Sequence, residues 1–396
     1  MSALGAWVVL GQLAVTGTVA VSDRTEARVR SVPEESPAYD IETAPTISLE
    51  MEGRRTNYGL GYGLRLGLID ITGDAEFVLL HVGRAYFAWS ASRRTRLTLS
   101  VDGTVGREVF SALSEPPTLG GGPAPVDPPV VTFVPRQQVL YVGTLRASAG
   151  VTHLLDRRWT LGYGAFYEIG GGLGEEAQEV LPRHNTVGGD VSLTHALTPV
   201  DDLTTSVSGS HTEVPTTGGE FITVSALETW SHEFSGRTVS RLGAGASYLR
   251  SRTTRDSETE DSVMAAGRAE IITTRELESG ATLELSALTS LDTQYNALLG
   301  AVTHQASGSV GANWSRERWG VDTRVTASTT LPTDDIPAVR GITGSVVGTY
   351  HPAEIVELEA GVRAADQLLP PATAPETPIQ WVAFVAVSVG FPIAHF

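Results

Sequence analysis

A strict two-residue alternation recurs along this chain and constrains its fold more than any other feature. In residues 58–68, YGLGYGLRLGL, the large apolar side chains occupy one parity, whereas Gly and Arg occupy the other. A period of two places successive side chains on opposite faces of a β-strand. The segment is therefore predicted to be a strand with one apolar face and one small or polar face.

The same alternation returns in many later segments, each close to the about 9–11 residues that a tilted strand needs to cross a bilayer. The polar parity repeatedly carries full charges, which the core of a soluble sheet would reject. Beyond the first residues, no apolar run approaches the about 20 residues of a helical span. The sequence therefore predicts an all-β fold, a transmembrane antiparallel β-barrel of 16–18 strands.

The connections between these segments alternate in length, as in transmembrane barrels, where the short turns are periplasmic. Short turns are predicted at 92–94, 155–158, 199–202, 235–237, 278–280, 316–318 and 351–354, and long loops at 114–136, 170–183, 252–261 and 369–378. With both termini periplasmic the strand number is even, which leaves 16 or 18. If the RRT at 54–56 is a periplasmic turn like the RRT at 93–95, an additional strand must precede Thr46.

The N-terminus is predicted to lie outside the barrel. Residues 1–20 form a mostly apolar stretch that ends in Thr-Val-Ala, which is typical of a secretory signal peptide. The positively charged residues that usually begin a signal peptide are missing. The alternative is that this stretch is a retained transmembrane helix. Residues 21–44 are predicted to be an N-terminal periplasmic segment, and residues 45–396 the outer-membrane barrel.

Composition excludes several classes of function. The net charge of −17 argues against nucleic acid as a partner, because phosphate binding needs a basic face. The absence of Cys removes disulfides, thiolate metal sites and Cys nucleophiles. Neither the glycine spacing nor the scattered histidines match a cofactor or zinc motif. We therefore expect no cofactor, no metal and no catalytic residues.

Two groups of residues are functional candidates. Charged side chains on the polar parity are predicted to line a pore, or to brace the wall as cross-strand ion pairs; these are Arg65, Arg96, Glu168, Asp190, Glu284, Asp322, Arg324, Glu357, Glu359 and Arg363. Tryptophans near the short turns are predicted to form an aromatic girdle, with buried strand ends as the alternative; these are Trp89, Trp159, Trp230, Trp314 and Trp319.

The pattern as a whole resembles the outer-membrane β-barrel superfamily, over nearly all of the chain after the signal. The C-terminal VAFVAVSVGFPIAHF resembles the terminal strand recognised by the barrel assembly machinery, with Phe396 as its final aromatic residue. Phe396 has the opposite parity to Phe391, and Pro392 cannot donate to the ladder, so either a bulge restores the parity or Phe391 is the aromatic residue that ends the strand. The resemblance implies a bacterial outer-membrane location and contact with membrane lipid and lipopolysaccharide.

The Gly-rich polar face and the repeated RRT turns are similar to barrels that export exopolysaccharide across the outer membrane. This similarity implies a porin-like channel, no enzymatic activity and a periplasmic export partner. Three alternatives stay open: a general diffusion channel, a plugged structural barrel that anchors an envelope complex, and a barrel hydrolase.

Overall fold

A computed structural model describes residues 16–31, 37–71, 74–110, 138–255, 257–296, 301–331, 339–368 and 379–395. Its strands are β1 (Thr16–Arg30), β2 (Ala38–Thr43), β3 (Thr46–Glu52), β4 (Thr56–Ile71), β5 (Asp74–Ser90), β6 (Thr95–Phe110), β7 (Gln138–Leu154), β8 (Trp159–Gly172), β9 (His184–Ala196), β10 (Asp201–Val214), β11 (Gly219–Ser235), β12 (Thr238–Arg252), β13 (Glu260–Glu276), β14 (Thr282–Asn296), β15 (Ala301–Arg316), β16 (Trp319–Thr330), β17 (Arg340–Ala353), β18 (Val356–Leu368) and β19 (Gln380–His395). The helix α1 (Glu175–Val180) lies between β8 and β9. In the described part of the chain, no helix is long and apolar enough to cross a membrane.

The strands form one closed antiparallel sheet. From β4 onward each strand pairs with its neighbours in sequence, and β1 pairs with β2 and β3 on one side and with β19 on the other. Closure gives every wall strand two partners, which satisfies the backbone hydrogen bonds that lipid cannot satisfy. The predicted transmembrane β-barrel is confirmed.

The strands β2 and β3 together occupy one position in the wall. Thr43 pairs with Thr25, and Thr46 pairs with Ser22, so the register against β1 continues unchanged across the interruption. Pro45 lies at the interruption because proline has no N–H to donate to the ladder. The barrel therefore has 18 strands, the upper of the two predicted numbers, and the additional strand required before Thr46 is β1.

The structure places residues 21–30 and 38–43 in the barrel wall, although the sequence analysis assigned residues 21–44 to a periplasmic segment. The physical reason is that β1 also alternates: its even-numbered residues include Arg24, Glu26 and Arg28, whereas Val21 and Val29 have odd numbers. Without β1 the sheet would keep two unpaired edges. The predicted signal peptide stays a prediction, since residues 1–15 lie outside the described residues and β1 begins at Thr16, before the predicted cleavage position.

The barrel has a short-turn end and a loop end. All the predicted short turns lie at the same end, together with the start of β1 and the end of β19. Loops 170–183 and 252–261 lie at the opposite end; the predicted loops 114–136 and 369–378 lie outside the described residues. The predicted short turns and these two long loops therefore lie at opposite ends, although the β10–β11 connection at the loop end, residues 215–218, is also short. In transmembrane barrels of the outer membrane the short turns are periplasmic.

The last strand contains the predicted bulge. Val19 pairs with Ala394 whereas Ala20 pairs with Pro392, so the register shifts by one residue at Ile393. The bulge lets the strand continue past a proline that cannot donate a hydrogen bond. Phe396 itself lies outside the described residues.

Candidate functional site: the inner wall

The two faces of the wall differ in chemistry. Large apolar side chains on one parity are exposed on the outside, for example Tyr163 and Tyr167 on β8 and Val310 on β15. The intervening residues, such as Glu168 on β8, point to the inside and pair with inward side chains of neighbouring strands. The structure places every predicted pore-lining residue on this inner parity: Arg65, Arg96, Glu168, Asp190, Glu284, Asp322, Arg324, Glu357, Glu359 and Arg363.

A chain of alternating charges runs along the inner wall from β1 to β6. Arg28 contacts Glu26 at 3.0 Å and also contacts Glu42 on β2. Arg65 contacts the same Glu42 and lies 3.7 Å from Glu108 on β6. Each guanidinium therefore lies between two carboxylates, which compensates the cost of placing several charges close together.

The chain of charges continues to β18. Arg24 lies 2.7 Å from Glu359 and 2.6 Å from Glu26, so it links β18 to β1 across β19. His351 lies 3.4 Å from Glu357, one inward position from Glu359. These contacts support the bracing alternative for Arg65, Glu357 and Glu359.

The remaining candidates divide into two sets. Glu168 lies 3.6 Å from Arg146 and 3.5 Å from His184, and the guanidinium of Arg363 lies 4.5 Å from the ring centre of Phe384. Within the described residues, no ion pair is seen for Arg96, Asp190, Glu284, Asp322 or Arg324. This second set is available to set the local field for a solute.

Hydroxyl groups cover much of the wall between the charges. Inward Ser and Thr side chains form hydrogen-bonded pairs across neighbouring strands at 2.6–2.9 Å: Ser100 with Ser148, Thr186 with Thr212, Thr194 with Thr204, Ser210 with Thr223, and Ser290 with Ser307. A hydroxyl is both a donor and an acceptor. The inner wall therefore offers exchangeable hydrogen bonds to a polar solute.

The helix α1 folds into the barrel at the loop end. Ala177 of α1 and the adjacent Leu181 pack against Leu80, Leu140 and Val142, which are inward residues of β5 and β7. The helix approaches Gly172 so closely that a Cβ on that residue would lie 2.3 Å from the carbonyl carbon of Ala177. Glycine at this position is what permits the inward approach.

The β14–β15 hairpin also folds inward at the loop end. Its pairing with β13 stops at Leu291 and its pairing with β16 stops at Gln305, while β14 and β15 still pair with each other up to Asn296 and Ala301. We call residues 292–296 and 301–304 the inward tip. Ala301 and Val302 pack against Val214, Phe221 and Leu249, which are inward residues of β10, β11 and β12.

The inward tip reaches the strand that follows α1. The ring of Tyr295 lies 4.4 Å from the ring of His184, the first residue of β9, between ring centres. His304 of the tip is hydrogen-bonded to Thr293 at 2.7 Å and to Ser262 of β13 at 3.1 Å. Two inward elements thus narrow the loop end of the barrel, one on β5–β7 and the other across β9–β13.

All the predicted girdle tryptophans point outward near the short-turn end: Trp89, Trp159, Trp230, Trp314 and Trp319. The ring of Trp159 stacks on His195 at 4.0 Å, and the ring of Trp319 stacks on Tyr350 at 4.3 Å between ring centres. Their role as a membrane-interface girdle stays a prediction.

The sequence analysis missed several of these features. Arg24, Glu26, Arg28 and Glu42 fell within the supposed periplasmic segment, although the even parity of β1 carries the signal. Outward aromatic residues at the loop end were also missed; these are Tyr39, Phe77, Tyr141 and Trp381. They match the second aromatic belt that membrane barrels carry at the opposite interface. The described residues contain no group of His, Asp or Glu placed to hold a metal ion.

Solved structures support the fold. The FrpB iron transporter from Neisseria meningitidis, F5-1 variant in its apoprotein form, aligns with a TM-score of 0.53 at 10% identity, over 93% of this chain and 66% of FrpB. The F3-3 variant of FrpB aligns with a TM-score of 0.51 at 11% identity, again over 93% and 66%. This chain therefore spans just under two thirds of the length of FrpB, and the likeness concerns the fold alone.

The sequence comparison identifies the family. No curated protein matches the chain. The profile of the EpsX exopolysaccharide export family matches residues 9–280, which is more than half of the chain and includes β1 to β13. The chain belongs to the EpsX exopolysaccharide export family, and its fold is a closed antiparallel β-barrel of 18 strands.

Proposed function

We propose that this barrel is the conduit through which an exopolysaccharide crosses the outer membrane. Membership of the EpsX exopolysaccharide export family carries the proposal. An 18-stranded barrel is wide enough to enclose an aqueous lumen when inward elements do not fill it. The polymer enters at the short-turn end, which faces the periplasm, and leaves at the loop end.

The chemistry of the inner wall supports this cargo. Many of the charges are paired with each other, as in the contacts of Arg28 and Arg65 with Glu42, so the wall has few strong single-sign binding centres. The paired hydroxyls can exchange their hydrogen bonds with those of a passing glycan at little cost. Weak, repeated contacts suit a pore, because a solute must be able to leave each site it enters.

The second candidate is a plugged structural barrel. It is favoured by α1 and by the inward tip, which both occupy the loop end. On our proposal these elements narrow the exit without filling the barrel.

The barrel acts without catalysis, and the partners are membrane lipid and lipopolysaccharide around the wall, the barrel assembly machinery, and a periplasmic export protein at the short-turn end.

Deletion of the gene tests the proposal in a strain that makes the polymer. We expect loss of polymer at the cell surface with accumulation in the periplasm, and recovery on complementation with the intact chain. Uptake of a small sugar should change little, which separates export from general diffusion. Normal surface polymer in the deletion strain would refute the export function.

A further inference from the structure

A cavity of about 400 Å³ opens on the inner wall of β3–β6, in the half of the barrel nearer the short-turn end. Its inward lining includes Glu50, Asn57, Tyr86, Arg84 and Arg96. The position is separate from α1 and from the inward tip, which both lie at the loop end. The inward part of the lining combines one aromatic ring, that of Tyr86, with side chains of both charges.

Tyr86 lies along the wall instead of projecting freely into the lumen. It pairs with Gly59 on β4, and a Cβ on Gly59 would lie 2.3 Å from Cε1 of the tyrosine ring. The Tyr86 hydroxyl donates a hydrogen bond to Oδ1 of Asn57 at 3.3 Å. Glycine therefore leaves room for the ring over β4, and Asn57 fixes its direction.

Polar groups surround the ring. Ser100 pairs with Tyr86 from the other side and is hydrogen-bonded to Ser148 at 2.7 Å. Glu50 lies across from Gly59, so its carboxylate flanks the ring on the β3 side. The wall around the ring thus supplies hydrogen-bond donors and acceptors at several positions.

The charges near the ring balance. Arg84 lies 3.3 Å from Asp102, which leaves Glu50 and Arg96 as one carboxylate and one guanidinium at the cavity. A strongly anionic ligand would need an excess of guanidinium groups, because a carboxylate is held best by charge-assisted pairs with Arg. The charge balance favours a ligand without net charge.

We propose that this cavity is a saccharide-binding subsite, in which Tyr86 stacks on a neutral pyranose unit and Glu50, Asn57 and Ser100 bond its hydroxyls. The C–H groups of a pyranose ring are weakly positive, and the face of an aromatic ring is negative, so the two attract. The inference deepens the proposed export function and rests on it. It places a transient binding site near the periplasmic entry.

Single-channel recording on the intact barrel in planar bilayers tests the subsite. The probes are neutral hexasaccharides, maltohexaose for the α linkage and cellohexaose for the β linkage, with hexagalacturonate as the anionic comparison. We expect reversible current blockades by at least one neutral probe. Tyr86→Ala should shorten their mean duration about tenfold, as expected for the loss of one aromatic contact, and Tyr86→Phe should retain most of it.

A glycine substitution gives an independent variant that keeps the tyrosine. Gly59→Ala should displace the Tyr86 ring and shorten the blockades in the same way. The matched control is Gly67→Ala, on the same strand and the same inner face, because a Cβ at Gly67 would lie 3.5 Å from its nearest atom, which is an ordinary van der Waals contact. All variants should keep the unblocked conductance, which shows that the barrel is folded.

The possible outcomes separate the subsite from the export function. Blockades of equal duration in the intact barrel, Tyr86→Ala and Gly59→Ala would overturn the subsite, as would no blockade by either neutral probe in a conducting barrel. Longer blockades by hexagalacturonate than by the neutral probes would overturn the assignment of a neutral sugar. Normal surface polymer in the deletion strain, by contrast, would defeat the export function whatever these recordings show.

Discussion

Phe221→Ala is expected to release the inward tip and widen the exit of the barrel. Phe221 is only 1% exposed and packs with Val214, Leu249, Ala301 and Val302. The inward tip has no backbone pairing with β13 beyond Leu291, so it is held by side-chain contacts with the wall, and this cluster is the apolar part of them. Truncating the ring should therefore act on the tip more than on the barrel.

The magnitude follows from the size of the truncation. Replacing a buried Phe by Ala costs about 3–5 kcal/mol through lost apolar contact and the cavity left behind. At about 1.4 kcal/mol per factor of ten, even 3 kcal/mol lowers the ratio of inward to released tip by about a hundredfold. A tip that is inward about 99% of the time in the intact barrel would then be released about half of the time in the variant.

Single-channel conductance in planar bilayers measures this effect. We expect Phe221→Ala to show a larger open conductance or frequent transitions to a larger level. The matched control is Phe234→Ala on the same strand, whose ring is exposed on the outer face near the short-turn end. Conductance identical to that of the intact barrel in a stably folded Phe221→Ala variant would refute the tip as a constriction.

Three further predictions concern the wall. Val310→Arg should destabilise the barrel by about 2–4 kcal/mol, because it places a cation on the lipid face, whereas Ser309→Arg on the inner face should cost much less. The free energy of unfolding in urea, measured in lipid vesicles, compares the two variants. Equal losses of stability would contradict the assignment of the two faces. Arg65→Met should destabilise the barrel by about 1–3 kcal/mol and raise cation selectivity, since two carboxylates lose their shared guanidinium. A reversal potential in a salt gradient measures the selectivity, with Arg93→Met at an exposed turn as control, and an unchanged potential would count against the charge chain. Trp319→Ala should lower the free energy of unfolding by about 1 kcal/mol, because the stacked contact with Tyr350 is lost. Unchanged stability in the same urea experiment would show that the stacked pair does not stabilise the barrel.

The alternation in the sequence predicted the wall well because membrane and lumen impose opposite chemistry on successive residues. Residues 58–68 fall within β4, and the predicted inward charges all share the inner face. The failure at β1 has a specific cause. Its first residues, 16–20, lie within the apolar stretch that was predicted to be a signal peptide, so the alternation of Arg24, Glu26 and Arg28 was not counted as a strand.

The inward elements were beyond prediction from local pattern. The residues of α1 lie in a loop, and the length of a loop does not indicate whether it folds into the barrel or away from it. The inward position of α1 depends on contacts with Leu80 and Leu140, which are distant in sequence. The residues of the inward tip continue the strand pattern of β14 and β15. Only the loss of pairing with β13 and β16 separates the tip from the wall.

The most direct test of the conduit is the dependence of current blockade on polymer length. The polymer is purified from the producing strain, cut to defined lengths and added at the short-turn side of the reconstituted barrel. A chain that threads through the lumen should block the current for a time that grows with its length, and it should be recovered on the opposite side. Blockades independent of length, with no polymer recovered across the bilayer, would contradict the account.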